Sequence, residues 1–182
     1  TDGRKFYRHA QMGLVAQVFT EADLERLRGH IAIGHTRYST TGSSRISNAQ
    51  PILISTPQME LALGHNGNII NARSLRLELE ERGYAFHTST DSEVIGLLIC
   101  AAPGRNIVEK ILYAMGRLQG AYSLVILTRN ELIGVRDPMG IRPLCLGRLN
   151  EGGWVLASET CALDQLGIAF VREIEPGEIV VI

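Results

Sequence analysis

From residue 121 to its last residue the chain reads as a run of strands with little between them. The segments are 121–128 (AYSLVILT), 131–136 (ELIGVR), 142–148 (RPLCLGR), 153–158 (GWVLAS) and 178–182 (EIVVI). Their joints are Arg129-Asn130, DPMG, NEGG and EPGE, rich in the residues that tight turns require. One short helix is expected at 159–166, with Ser158 as its N-cap. Strands grouped in runs, with helices grouped elsewhere, specify an α+β protein with antiparallel sheets rather than a βαβ nucleotide fold. No G-x-G-x-x-G and no phosphate-binding G-x-x-x-x-G-K-[ST] occurs. Segments such as YSLVILT are apolar on both faces, as expected of a sheet buried between a second sheet and a helical layer.

The helices fall earlier. At 20–28, Thr20 and Asp23 have the spacing of a capping box, and Gly29 follows the end. Asn71 is placed to cap a helix at 72–82, which stops before Gly83 and sets Leu75 and Leu79 one turn apart. Thr90 and Glu93 form a second capping box for an apolar helix at about 91–102, ended by Pro103-Gly104. A further helix at about 106–118 carries the stripe Ile107, Ile111, Leu112, Met115 and Leu118. Strands are expected at 4–9, 30–38 and 60–65, and a Ser/Thr/Gly-rich loop at 39–51.

The 182 residues are 45% hydrophobic, enough for one domain with a core. A net charge of −1 argues against a nucleic-acid partner. No apolar run is long enough to cross a bilayer, so no membrane partner is expected. The opening residues lack the apolar core of a signal peptide. Cys100, Cys145 and Cys161 are far apart among apolar neighbours, without metal-site spacing. They are expected to be buried, reduced thiols, which fits a cytoplasmic compartment.

Three segments combine functional residue types with strand ends and loops: GHTRYSTTG (34–42), GHNGN (64–68) and TSTDSEV (88–94). Arg37 is either a surface arginine or a forked clamp for a carboxylate. Asp91 either stabilises a helix start or accepts an ammonium group. Together the two could hold the zwitterionic end of an amino acid, with a hydroxyl from Thr40. Asn66-Gly67 is a strong signal for a two-residue hairpin turn. Only Asn68, Ile69 and Ile70 follow before the cap at Asn71, which leaves little downstream strand. The alternative aims Asn66 Nδ2 and the Gly67 N–H at one oxygen, as an oxyanion hole. Residue chemistry alone leaves both readings open.

The motifs GHTRYSTTG, AQP, HNGN, TDSEV, GAYSLV, RDPMGIRPLCLG, ASETCALD and VREIEPGEIVVI span nearly the whole chain. In them the sequence resembles the class II, N-terminal-nucleophile glutamine amidotransferases, and among these the glutamine-hydrolysing domain of the amidophosphoribosyltransferases. The resemblance implies a four-layer αββα sandwich, with residues 1–182 as the glutaminase domain, incomplete at its N-terminus. It implies that Arg37, Thr40 and Asp91 bind glutamine and that Asn66 and Gly67 form the oxyanion hole. It implies release of ammonia for transfer to phosphoribosyl pyrophosphate, giving phosphoribosylamine, the first committed step of purine synthesis.

The family's nucleophile is a cysteine at the mature N-terminus whose own amine is the base. Thr1 does not match it, and no cysteine precedes Cys100. The chain alone is therefore expected to be inactive, and a non-catalytic glutamine-binding or assembly domain is the alternative reading. A hydrolase using Cys161 is a third. The resemblance places a phosphoribosyltransferase domain, with its Mg²⁺, in the parent chain outside these residues. It allows an iron–sulfur cluster there, implies a homo-oligomeric parent, and requires no cofactor or metal within this domain.

Overall fold

The computed structural model describes residues 1–37 and 45–182. Two short helices come first, α1 (Val15–Val18) and α2 (Glu21–Arg26), and a 3₁₀ turn spans Ile46–Asn48. The capping box of α2 forms as expected, Thr20 and Asp23 bonding each other's backbone. Then come β1 (Ile52–Ser55), β2 (Glu60–Ile69), α3 (Ala72–Glu81), α4 (Asp91–Ala101) and α5 (Ile107–Met115). The remainder is β3 (Gly120–Leu127), β4 (Leu132–Arg136), β5 (Cys145–Arg148), β6 (Trp154–Ala157), α6 (Thr160–Gln165), β7 (Ala169–Glu173) and β8 (Ile179–Val181).

Two antiparallel sheets form, one ordered β1-β2-β3-β4-β8 and the other β6-β5-β7. Alternation along the strands sets the layers. Leu61 and Leu63 of β2, Tyr122, Leu124 and Ile126 of β3, and Ile133 and Val135 of β4 join Leu75 and Leu79 of α3 and the apolar residues of α4 and α5 in one core. The opposite face meets the second sheet through Val125, Leu144, Leu146, Leu156 and Ile174. A Cβ on Gly134 would press on Leu156 and Leu144, so this glycine lets the two sheets approach. Beyond the second sheet, Leu163 of α6 packs on Cys145 and Ile168. The order is helices, sheet, sheet, helix, which is the expected αββα arrangement.

α4 is apolar all round because both its sides are covered, and residues 91–100 are buried throughout. Thr90 caps it by accepting the Glu93 N–H at 3.4 Å. The other half of the expected box is absent, since the Glu93 carboxylate takes the N–H groups of His87 and Thr88 instead.

Several local expectations fail for physical reasons. The strand at 4–9 is absent: the Asp2 carboxylate takes the N–H groups of Arg4 and Lys5 and curls the segment. Residues 31–37 alternate in exposure as a strand would, but no ladder forms among the described residues. Asn71 does not cap α3; its amide bridges to the Arg117 carbonyl and the Gln119 N–H. Glu159, not Ser158, precedes α6. Leu112 is exposed, and Ala114 takes its expected place in the core. Cys100 and Cys145 are buried, but Cys161 is exposed. β1 and β7 were not expected from the sequence.

Candidate functional site

HNGN is not a turn. Asn66 and Gly67 lie inside β2, opposite Ser123 and Tyr122 of β3. Gly67 adopts φ +151°, and a Cβ there would strike the Ala121 carbonyl and the Tyr122 Cα. The close approach of β3 therefore requires glycine.

Strand periodicity then directs the donors. The Ile70 N–H bonds the Gln119 carbonyl, so the even-numbered residues of β2 pair with β3. The odd-numbered residues present their N–H groups to the other edge. β1 covers that edge only as far as the pair Ile52–Leu63. Beyond it, the His65 N–H goes to Gln50 Oε1 at 2.7 Å and the Ile69 N–H to Asp91 Oδ2 at 3.0 Å. The Gly67 N–H lies between these two on the same edge, beyond the reach of β1. The Asn66 side chain belongs to the face that His35 approaches, since a Cβ on Gly64 would meet His35 there.

Asp91 is the first residue of α4 and is buried. Its Oδ1 is 3.7 Å from His65 Nδ1 while Oδ2 holds Ile69. The carboxylate thus reaches β2 on both sides of the Asn66-Gly67 pair. His65 Nδ1 also lies 3.1 Å from Ser92 Oγ. Burial drives the His65 pKa down to about 4, against the pull of Asp91, and the nearby His35 and Arg142 charges add to the fall. His65 is neutral near pH 7.

Arg37 arrives on the segment that precedes the 38–44 stretch. His35 Nε2 donates to the His65 carbonyl at 3.0 Å and ties this segment to β2. Burial lowers the His35 pKa, the bond to the His65 carbonyl opposes the fall, and the charge of Arg37, two residues further on, adds to it. Asn66, Gly67 and Asp91 are therefore brought together on β2, and the segment that carries Arg37 is tied to the same strand through His35. Thr40 lies outside the described residues. A cavity of about 660 Å³ adjoins the site, bounded by His35, Arg37, Gln50, Leu53 and Ala62, among others. It does not extend to Asn66 or Asp91.

Neither Thr1 nor any of the three cysteines stands here. The Thr1 ammonium donates to the Ile31 carbonyl and its hydroxyl to the Arg129 carbonyl, past the far end of β3 from Ser123. Cys100 sits in the helical core, where burial raises its thiol pKa to about 11. Cys145 donates to the Ala157 carbonyl within the second sheet, and Cys161 lies on the outer helix beside Glu159. Sequence reasoning missed His35, His65 and Gln50. The AQP motif contained Gln50, but nothing in its local pattern pairs it with residue 65.

Comparison with known proteins gives a consistent result. The family model for the glutamine amidotransferase domain matches residues 35–165. An amidophosphoribosyltransferase of Synechocystis is 51% identical over 183 residues, covering 98% of this chain and 37% of that protein. The chloroplastic amidophosphoribosyltransferase 2 of Arabidopsis thaliana is 47% identical over 171 residues, covering 94% of this chain and 30% of that protein. The solved glutamine phosphoribosylpyrophosphate amidotransferase of B. subtilis, complexed with ADP and GMP, superimposes with a TM-score of 0.91 at 41% identity. That match covers 100% of this chain and 39% of the solved one. The chain thus spans 30–39% of the length of these relatives. Among the described residues, no helix is long and apolar enough to cross a membrane.

Proposed function

The chain belongs to the glutamine amidotransferase domain family, and from that premise we propose that it is the glutamine-hydrolysing domain of an amidophosphoribosyltransferase. Glutamine binds with its α-ammonium on Asp91 and its α-carboxylate on Arg37, and Thr40 adds a hydroxyl bond. The amide carbonyl then lies against Asn66 Nδ2 and the Gly67 N–H. Attack by a cysteine thiolate turns that carbonyl into an oxyanion, and each preorganised donor lowers the barrier by about 2.7–4 kcal/mol. Expulsion of ammonia leaves a thioester, which water cleaves to glutamate.

The nucleophile is a cysteine outside this sequence, since Cys100, Cys145 and Cys161 lie on other elements. The ammonia passes to phosphoribosyl pyrophosphate in a phosphoribosyltransferase domain of the parent chain, giving phosphoribosylamine. The parent is a cytoplasmic homo-oligomer. Its Mg²⁺, and any iron–sulfur cluster, belong to the rest of the parent.

The observation that carries this reading is the Asp91 carboxylate seated across β2 from His65 to Ile69, around the Gly67 N–H. Calorimetric titration with L-glutamine tests it. Arg37→Ala and Asp91→Asn should each weaken binding at least tenfold, as expected for loss of a charge-assisted contact worth about 1.5–3 kcal/mol. Unchanged affinity in both variants would remove the amino-acid clamp.

A further inference from the structure

The edge of β2 changes its partner at a defined point. β1 pairs with β2 through Ile52–Leu63, and extending that register would set Pro51 opposite Gly64 and Gln50 opposite His65. Pro51 falls at a non-hydrogen-bonded position of that register, and its carbonyl turns away from β2 to accept Arg8 Nε at 2.9 Å. The Gln50 side chain continues the ladder. Gln50 Oε1 accepts the His65 N–H at 2.7 Å, and Gln50 Nε2 donates to the His65 carbonyl at 3.3 Å. One side-chain amide thus occupies both hydrogen-bonding groups that a neighbouring strand would have filled. The same carbonyl accepts His35 Nε2 at 3.0 Å. That carbonyl belongs to the peptide that leads into Asn66.

We propose that Gln50 is a positioning residue for the Asn66-Gly67 pair, its amide fixing the His65 main chain where the β1 ladder gives out. This inference rests on the glutamine-site reading above. β3 holds the His65–Asn66 peptide from one side only, and a tilt of that peptide would turn both the Asn66 side chain and the Gly67 N–H off a shared target. Oxyanion stabilisation depends on donors held about 2.7–3.1 Å from one oxygen, so loss of the bracket costs amide recognition before it costs the fold. The α-ammonium of the ligand, held by Asp91 through α4 and the Ile69 N–H, does not depend on it.

The readout is the preference of the protein for L-glutamine over L-norvaline, which has the same α-end but no amide, measured by calorimetry. Gln50→Met should lower that preference about three- to tenfold, the range one neutral hydrogen bond supplies, and leave norvaline affinity unchanged. Gln50→Glu keeps the acceptor for the His65 N–H and loses the donor, and should fall between. A lowered Tm with an unchanged preference in Gln50→Met would make Gln50 a structural contact and overturn the proposal. If Gln50→Met does not fold, an unchanged preference in Gln50→Glu overturns it. Asn66→Ala separates the underlying reading: if the wild type shows no preference and Asn66→Ala alters nothing, the glutamine site itself is wrong and the proposal falls with it.

Discussion

The Asp91 carboxylate accepts the Ile69 backbone N–H at 3.0 Å, which locks the first turn of α4 to the strand that carries Asn66 and Gly67. The same group has a structural task and, in the proposed function, a ligand-binding one. Two substitutions separate them. Asp91→Asn keeps an oxygen for Ile69 and loses the charge, so glutamine affinity should fall more than tenfold with little change in Tm. Asp91→Ala also strands the Ile69 N–H and should cost a further ~1–3 kcal/mol of stability, read by urea denaturation.

Gly67→Ala should be among the more damaging single changes in β2. Its Cβ meets main-chain atoms of Ala121 and Tyr122, which cannot rotate away, and its φ of +151° strains any other residue. A loss of at least ~2 kcal/mol is expected in chemical denaturation, from backbone strain and overpacking together.

Stability should fall on mild acidification. His65 is buried with its pKa near 4, below its unfolded value of 6.5. Between those values the unfolded chain binds more protons than the folded one, so unfolding free energy rises with pH across that window. His35, lowered mainly by burial, acts in the same direction. The Tm should therefore drop from pH 7 to pH 5, and His65→Gln should flatten that dependence.

Burial should outweigh ion pairing on α3. Leu79 is fully buried, and Leu79→Ala should cost about 2–5 kcal/mol. Arg117 reaches Glu78 with two bonds of 2.8 and 2.6 Å, but both side chains are partly exposed. Arg117→Ala should cost no more than ~1 kcal/mol by the same denaturation assay.

Periodicity and turn chemistry made most of this fold legible. The strands that became β3, β4, β5, β6 and β8 announce themselves by apolar runs between Gly- and Pro-rich joints, and α4 by its uninterrupted apolar length. What stayed hidden depends on partners distant in sequence. Arg136 binds the carbonyls of Gly140, Arg142 and Ile174, and the buried Asp137 takes the N–H groups of Met139, Ile141 and Arg142. In the sequence Arg136 looks only like a strand end and Asp137 only like a turn residue. Residues 31–37 carry a strand's alternation, but that pattern does not say whether a ladder partner exists. At the site, residue types nominated Arg37, Asn66, Gly67 and Asp91. Only the ladder register showed the Gly67 N–H on the edge beyond β1, between the two N–H groups held by Gln50 and Asp91.

The most direct test of the central claim is a crystal structure of the protein soaked with L-glutamine. The α-ammonium is predicted on Asp91 and the α-carboxylate on Arg37, with the amide oxygen about 3 Å from both Asn66 Nδ2 and the Gly67 nitrogen. Glutamine bound in the opposite sense, with its amide on Asp91, or bound away from β2, would contradict it.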